Sequence, residues 1–334
     1  MRIFFHGAKV LSMTIKPLFI PLIFAIAGCA SVETRLPVPQ QQAVDAISNQ
    51  QQAQVFDQYL NHFKRLDAVS HQVLSANTGL CADTLLDPGI AVHALKSYPK
   101  ALRKGAHMFL GAEDTPSVLW VRKNSPAQTL AVHVGDKILD AEDKPAFLKA
   151  KTVQANLKRG LLKIERDGDY MSLQVKPEAK CAYNVRLKLT SRVNAYADGK
   201  SITVTTGMMN FVKSDSELAL VIGHELAHNT MNHVRKGIWN TVISGFAHRY
   251  TRPFEAEADY VGLYYMARAG YELGNVEQFW NRLGVYAPKS IVKAKTHPLA
   301  PERLLAIRLT RDEITAKRKA GLPLVPNLKS NNRK

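Results

Sequence analysis

Residues 221–234, VIGHELAHNTMNHV, contain three histidines and one glutamate. His224 and His228 are four residues apart, so on a helix they project from one face, one turn apart, and can both reach one metal ion. Glu225 points about 100° round the helix, which suits contact with a water molecule at that metal better than metal ligation. His233 falls off this face and is expected to be a capping or surface histidine. So short a motif also occurs by chance, and it needs context.

The context is a second predicted helix that can complete a metal site. Catalytic zinc usually has three protein ligands and an open fourth position. The stretch RPFEAEADYVGLYYMARAG has a proline that suits a first helical turn, Pro253, and a glycine that can end the helix, Gly270. Glu255 and Asp259 are spaced i, i+4 and share one face of this helix, which is expected to supply the third ligand. Glu257 faces elsewhere and is expected at the surface.

Other elements must position these residues. Ser214-Asp215-Ser216-Glu217 is a capping box that begins a helix, and Gly237 can end it. Apolar residues between 43 and 75 recur at three- and four-residue steps, which predicts an amphipathic helix. Residues 105–180 instead contain strand-like stretches, SVLWVRK and SLQV, and turns within KILDAED and RDGDY. These patterns predict a protein of the α+β class.

The chain is strongly basic, with 45 Lys and Arg against 28 Asp and Glu and a net charge of +17. That balance favours anionic partners such as membranes, nucleic acids or acidic polymers. The basic residues are scattered and no stretch interleaves them with aromatic residues, so we expect a solvated basic surface and no nucleic-acid partner. The last residues, 323–334, are expected to form a basic tail.

The N-terminal segment, residues 1–28, resembles the signal peptide of a bacterial lipoprotein. Basic residues precede the apolar run PLFIPLIFAIA, which is too short to span a bilayer. The run ends at Ile26-Ala27-Gly28-Cys29, which resembles a lipobox, and the resemblance implies acylation of Cys29. Met13 is an alternative start. The alternative to a signal peptide is a buried apolar segment with an incidental cysteine.

The residues after the lipobox indicate a location for the protein. Ala30 stands directly after the cysteine, which in lipoproteins of this kind implies sorting to the outer membrane. Residues 29–42 include RLPVPQQQ, a Pro- and Gln-rich stretch expected to be a tether. The chain is therefore expected at the periplasmic face of the outer membrane, held to the membrane by its lipid anchor.

The sequence HELAH followed by EAEAD resembles the zinc metallopeptidases of the HtpX-like and CAAX-prenyl-protease-like gluzincin family. Residues 193–209, VNAYADGKSITVTTGMM, resemble the family's hairpin before the zinc helix. Residues 296–303, THPLAPER, resemble its motif after the second helix. The resemblance implies a mainly helical, zincin-like catalytic domain with a small β-sheet over residues 181–322, preceded by an N-terminal helix over 43–80.

The same resemblance implies a role for each matching residue. The implied ligands of one zinc ion are His224, His228 and Glu255, and the implied general base is Glu225. Asp259 is expected to orient a ligand histidine. Near the cleft the resemblance places His297, which would assist the oxyanion, gate the zinc or act as a structural cap, and Arg303. The edge strand against which a peptide lies would contain Asn194, Ala195 and Tyr196.

Residues 105–180 resemble an inserted, β-rich PDZ domain of the periplasmic-protease kind. The matching stretches are Asn124-Ser125-Pro126-Ala127 and Val134-Gly135-Asp136-Lys137-Ile138-Leu139. The resemblance implies that a peptide adds as a strand beside a loop at Phe109-Leu110-Gly111. The alternative is a small β module that only spaces or packs.

Two cysteines remain when Cys29 is acylated. Cys81 and Cys181 flank the segment resembling a PDZ domain, and the flanks of an inserted domain lie close together. Because the periplasm is oxidising, we expect a disulfide between them. The alternative is two separately buried free thiols.

Together these features predict a lipid-anchored, zinc-dependent endopeptidase of the bacterial envelope. Unfolded or misassembled envelope proteins or peptides are its expected substrates, from location and resemblance. The alternative is a periplasmic binding or assembly factor, chaperone-like, with a latent zinc site. A third possibility, suggested only by the basic charge, is a peptidoglycan-associated protein.

Overall fold

The structure is a computed structural model that describes residues 39–235, 251–286 and 301–328. The predictions for the signal segment, Cys29 and His297 lie outside these residues. The helix that begins after Ser214 ends at Thr230, so the expected helix end at Gly237 is wrong. The chain divides into two units at Asp45, and the candidate functional residues lie in the second unit, Ala46–Lys334. None of the helices in the described part of the chain is long and apolar enough to cross a lipid bilayer.

Helices and strands are both present, as expected for an α+β protein. The α-helices of the described residues are α1 Gln41–Ala76, α2 Arg103–Leu110, α3 Pro126–Thr129, α4 Lys151–Lys158, α5 Thr206–Phe211, α6 Asp215–Thr230, α7 Thr251–Arg268, α8 Val276–Tyr286 and α9 Pro301–Lys319. The strands are β1 Thr84–Asp87, β2 Ile90–His93, β3 Ser117–Val121, β4 Lys137–Leu139, β5 Leu161–Arg166, β6 Asp169–Gln174, β7 Glu178–Cys181, β8 Asn184–Lys188, β9 Ala195–Ala197 and β10 Ser201–Thr205.

Within the described residues, the strands form four small sheets. In one of them β10 is central, parallel to β8 and antiparallel to β9, which lies at the edge. β4, β5 and β6 form a second, antiparallel sheet, and two antiparallel pairs join β1 to β7 and β2 to β3. The predicted hairpin over residues 193–209 is therefore β9 and β10, followed by α5.

The main core surrounds α6 and α7. Most of α6 is buried on all sides, and its buried residues include the polar Glu217, His224, Glu225 and Asn229, as expected of a helix enclosed by other elements. Its apolar residues pack with those of α7, with Phe279 and Trp280 of α8, and with Leu66, Val69 and Val73 of α1. The α1 helix ends at Ala76, slightly before the predicted boundary at residue 80.

A separate apolar core lies in the strand-rich segment, which runs from β1 at Thr84 to β7 at Cys181. It joins β2, β3, β4 and β5 to α4 through residues such as Ile90, Val118, Ile138, Leu157 and Leu162. The strand predictions within SVLWVRK and SLQV are confirmed as β3 and the end of β6. Strands begin at Thr84, well before residue 105, because β1 pairs with the distant β7.

The stretch Phe109-Leu110-Gly111 is not a loop beside a strand. Phe109 and Leu110 are the last residues of α2, and Gly111 ends that helix in a left-handed conformation with φ 65°. The ring of Phe109 stacks on Phe56 of α1, with centroids 5.7 Å apart. The loop expected at this stretch is therefore wrong, because the stretch is the end of a helix that packs on α1. The peptide-binding site expected beside it stays a prediction.

Cys81 and Cys181 lie at the two ends of the strand-rich segment. A disulfide joins them, with Cα atoms 5.7 Å apart across a sequence separation of 100. Cys181 is also the β7 residue paired with Thr84 of β1. The ends of the segment are therefore held together by both a covalent bond and a strand pair.

Candidate metal centre

The α6 helix presents the HELAH residues from a well-defined start. Ser214 is its N-cap, and the side-chain hydroxyl accepts a hydrogen bond from the backbone N–H of Glu217 at 3.2 Å. The Glu217 carboxylate accepts from the backbone N–H of Lys213 and from both terminal nitrogens of Arg282, at 3.0 and 2.7 Å. The predicted N-cap at Ser214 is confirmed. The ion pair of Glu217 with Arg282 also connects α6 to α8.

The α7 helix crosses α6 at two glycines. A Cβ atom on Gly223 would lie 2.6 Å from the carbonyl oxygen of Gly262, and a Cβ on Gly262 would lie 2.8 Å from the backbone nitrogen of His224. Both distances are shorter than real Cβ contacts allow. The two backbones can therefore approach closely only because neither residue has a side chain, and this contact brings the acidic face of α7 to the histidines of α6.

Three residues that could be metal ligands converge at this crossing. Nε2 of His228 lies 3.1 Å from Nε2 of His224. The two carboxylate oxygens of Glu255 lie 3.4 Å from these nitrogens, one from each. Tetrahedral zinc with bonds of about 2.0–2.1 Å spaces its ligand atoms about 3.3 Å apart. The donor set and its spacing therefore fit zinc.

Asp259 contacts one of the histidines of this cluster, and Arg303 contacts Asp259. Oδ1 of Asp259 lies 2.9 Å from Nδ1 of His224 and accepts a hydrogen bond from it. The guanidinium of Arg303 donates to both Asp259 oxygens, at 2.8 Å for Nη2 to Oδ1, and lies 3.7 Å from Glu255. The predicted orienting contact of Asp259 with His224 is present. Arg303 contacts Asp259 and Glu255, and its expected role at the substrate cleft stays a prediction.

The charges of the cluster favour a cation. Burial lowers the pKa of His224, but hydrogen bonds to Asp259 and Glu255 more than offset it and raise that pKa to about 10. Burial likewise raises the pKa of Asp259, while the charge of Arg303 and the hydrogen bond to His224 lower it below its usual range. The negative charges that hold a proton on His224 also favour a metal ion at the same place.

Trp280 is a residue of the site that the motifs did not reveal. Its ring lies 5.7 Å from that of His224 in an edge-to-face arrangement. The guanidinium of Arg303 also lies over this ring, 4.0 Å from the Trp280 centroid. Trp280 therefore packs against a ligand and against the group that holds Asp259. No spacing in the sequence links α8 to the other helices, so no signal for it was available.

His233 is not a surface residue, and the expectation for it is wrong. It is buried, and its Nδ1 lies 3.1 Å from Nδ1 of His228. Its Nε2 lies 2.7 Å from a carboxylate oxygen of Glu257. The α6 helix ends at Thr230, and Asn232 adopts a left-handed conformation with φ 56°. This turn brings His233 back beside His228. The side chain of Glu257 is 35% exposed, and its carboxylate contacts the buried ring of His233.

A cavity of about 60 Å³ lies beside the cluster. Two residues of the predicted substrate strand, Asn194 and Ala195, line it together with His224 and Glu225. Apolar side chains complete the lining, from Val193, Met208, Val221, Phe279, Trp280 and Leu283. Tyr196 lies on the edge strand β9 with 37% of its surface exposed.

Known proteins resemble the part of the chain that builds this site. Residues 164–243 and 237–311 match the family model described as Peptidase family M48. These matches support an M48 metallopeptidase. Metallopeptidases of that family depend on zinc, which agrees with the possible metal site at His224, His228 and Glu255.

Individual relatives agree with the family match. Over 135 residues the chain is 31% identical to the mitochondrial metalloendopeptidase OMA1 of Arabidopsis thaliana, covering 33% of this chain and 28% of that protein. Over 174 residues it is 28% identical to a putative beta-barrel assembly-enhancing protease of Vibrio cholerae, covering 41% and 35%. A further match, OMA1 of Schizosaccharomyces pombe, is 25% identical over 150 residues, covering 37% and 44%. The chain thus spans less than half of each relative.

Proposed function

We propose that the protein is a zinc-dependent endopeptidase whose metal ligands are His224, His228 and Glu255. The observation that carries the proposal is the convergence of these three buried donors, 3.1–3.4 Å apart, beside a cavity that Glu225 also lines. Three N and O ligands are typical of catalytic zinc, which keeps one position open.

Each residue near the ligands has a proposed role. A bound zinc ion would act as a Lewis acid that acidifies water and polarises the peptide carbonyl. The Glu225 carboxylate accepts the proton of the attacking water and delivers it to the leaving amine. Asp259 holds the Nδ1 proton of His224, and Arg303 holds Asp259. His297 lies outside the described residues, and its assisting or gating role stays a prediction.

The peptide substrate is proposed to bind along β9. This strand pairs with β10 on one side, and a strand edge can bind an extended peptide through main-chain hydrogen bonds. Asn194 and Ala195 line the cavity that Glu225 and His224 also line. An extended chain along Asn194, Ala195 and Tyr196 would therefore pass the cluster.

A proteolysis assay on an unfolded protein such as casein tests this function. Glu225→Gln should bind zinc and remain folded, yet lose cleavage by several orders of magnitude, because glutamine cannot accept the proton. Glu272→Gln, at a position outside the site, is the matched control and should cleave normally. Near-normal cleavage by Glu225→Gln, or cleavage that persists with a chelator, would contradict the proposal and favour a binding factor with a latent zinc site.

The proposed place of action is the periplasmic face of the outer membrane, with unfolded or misassembled envelope proteins as substrates. Support comes from the lipobox-like sequence ending at Cys29 and from the name of the Vibrio cholerae relative, which refers to beta-barrel assembly. Cys29→Ala should remove the lipid and release the protein from the membrane fraction, because each buried methylene contributes about 0.8 kcal/mol. Unchanged partitioning, with no acyl group on the wild type, would contradict the anchor.

A further inference from the structure

The two ring nitrogens of His228 have different surroundings. Nε2 faces the ligand cluster, 3.1 Å from His224 and 3.4 Å from Glu255. Nδ1 faces the opposite way and lies 3.1 Å from Nδ1 of His233. A ring nitrogen that holds a metal carries no proton, so the proton of neutral His228 is on Nδ1. With a metal ion on Nε2, the Nδ1–H of His228 therefore donates a hydrogen bond to Nδ1 of His233.

The ring of His233 is itself held on three sides. Because its Nδ1 accepts from His228, its Nε2 carries the proton and donates to Oε2 of Glu257 at 2.7 Å. One face of the ring stacks on Phe254, with centroids 4.7 Å apart and planes 18° apart. The side chain is only 2% exposed. The ring is thus fixed in position and has its two nitrogens in complementary hydrogen bonds.

We propose that Glu257 and His233 are positioning residues that fix the ring direction of His228, with its Nδ1–H pointing at His233, for zinc binding. We call this chain of contacts, Glu257 to His233 to His228, the His233 relay. The inference rests on the proposed function, since it assumes that His228 is a zinc ligand. Neither Glu257 nor His233 coordinates the metal.

The two histidine ligands are then held in parallel ways. Nδ1 of His224 donates directly to the carboxylate of Asp259, whereas Nδ1 of His228 reaches the carboxylate of Glu257 through the intervening ring of His233. Partners of this kind orient the ring of a metal-bound histidine and raise its basicity, and their loss typically weakens metal binding by about 10–100-fold.

A different explanation of the same burial is that His233 only fills space against Phe254. Two substitutions separate the explanations. His233→Phe keeps an aromatic ring for the stack but removes the acceptor for His228. His233→Gln loses the ring but keeps a carbonyl oxygen that can accept from His228 and an amide that can donate to Glu257.

The test is the zinc dissociation constant of the full chain, measured by competition with a fluorescent chelator. His233→Phe should raise that constant by about 10–100-fold, and His233→Gln should stay closer to the wild type. Glu257→Ala should weaken zinc binding in the same direction. Adding Glu257→Ala to His233→Phe should have no further effect, because Glu257 acts through His233. The matched control is His62→Phe, which removes a histidine that is hydrogen-bonded to Asn210 at 2.9 Å. It should leave the zinc dissociation constant unchanged.

Thermal melting of the chelated proteins reports separately whether each variant folds. If His233→Phe does not fold, Glu257→Ala decides, because that side chain is 35% exposed. The relay is overturned if His233→Phe or, in that case, Glu257→Ala binds zinc as tightly as the wild type. It is also overturned if His233→Gln is as weak as His233→Phe while Glu257→Ala is normal. A wild type that binds no zinc would instead overturn the proposed function.

Discussion

Gly223 of α6 and Gly262 of α7 face each other so closely that a Cβ on Gly223 would lie 2.6 Å from the Gly262 carbonyl oxygen. The residue after Gly223 is His224, and Glu255 and Asp259 lie earlier on the helix of Gly262. The spacing between the two helices at this crossing therefore sets the distance from the histidines to the carboxylates. A site built from two helices depends on a contact in which no ligand side chain takes part.

Gly262→Ala should disturb both stability and zinc binding. The new methyl group would meet backbone atoms of Gly223 and His224, 2.8–2.9 Å away, and backbone cannot move aside as a flexible side chain can. Overpacking of this kind typically costs about 1–3 kcal/mol, and we expect the upper end. Urea unfolding and the zinc dissociation constant measure the two effects.

The matched control is Gly274→Ala, where an added Cβ meets nothing within 4 Å. It should unfold and bind zinc as the wild type does. If Gly262→Ala behaves like this control, the close crossing does not set the geometry of the site.

The disulfide between Cys81 and Cys181 should contribute strongly to stability. Closing a loop of about 100 residues is worth up to about 4.7 kcal/mol in the chain-entropy model. The double substitution Cys81→Ser with Cys181→Ser leaves no lone thiol. It should lower the free energy of unfolding by an amount that approaches this upper bound. Reductant should destabilise the wild type but not the double variant.

Non-reducing peptide mapping of protein made in the periplasm checks the bond itself. One linked peptide pair containing Cys81 and Cys181 is expected. Two thiols that can be alkylated after denaturation without reductant would mean that the bond does not form.

Acid should weaken the contact between α1 and the strand-rich segment at Asp87. Burial raises the pKa of this carboxyl group, but Lys180, His71 and Arg122 lower it well below its usual range. Nζ of Lys180 lies 2.5 Å and Nη2 of Arg122 lies 3.2 Å from its Oδ2. The folded state therefore binds this proton less readily than the unfolded chain does.

A lowered pKa in the folded state makes stability depend on pH in one direction. The contribution of Asp87 is fully present above the unfolded pKa of about 3.9 and is lost as the pH falls through the folded pKa. Asp87→Asn should be less stable at pH 7 and should lose less stability than the wild type on acidification below about pH 4. Denaturant unfolding at several pH values measures the slope of the free energy of unfolding against pH for the wild type and for Asp87→Asn. Parallel slopes for the two proteins would contradict the prediction.

The sequence predicts some parts of the site well because they are local. The N-cap at Ser214 marks the start of α6, and the i, i+4 spacing of His224 and His228 holds wherever that helix is regular. His233 shows the limit of such reasoning. Helical spacing places it away from His228, but α6 ends at Thr230 and a left-handed residue at Asn232 turns the chain back.

Other features depend on which elements meet, and a single sequence does not contain that information. The close contact of Gly223 with Gly262 requires knowing that α6 and α7 cross there. The packing of Trp280 against His224 and Arg303 requires the position of α8. The stacking of Phe109 on Phe56 of α1 likewise joins two residues that are distant in the sequence.

The central claim is tested most directly by returning zinc to the chelated protein while measuring the initial rate of cleavage of an unfolded substrate. The rate should rise with added zinc and stop rising at about one zinc per chain, as three ligands from one chain imply. Glu225→Gln should bind the same amount of zinc without gaining activity. A cleavage rate that does not depend on zinc, or an active Glu225→Gln protein, would contradict the account.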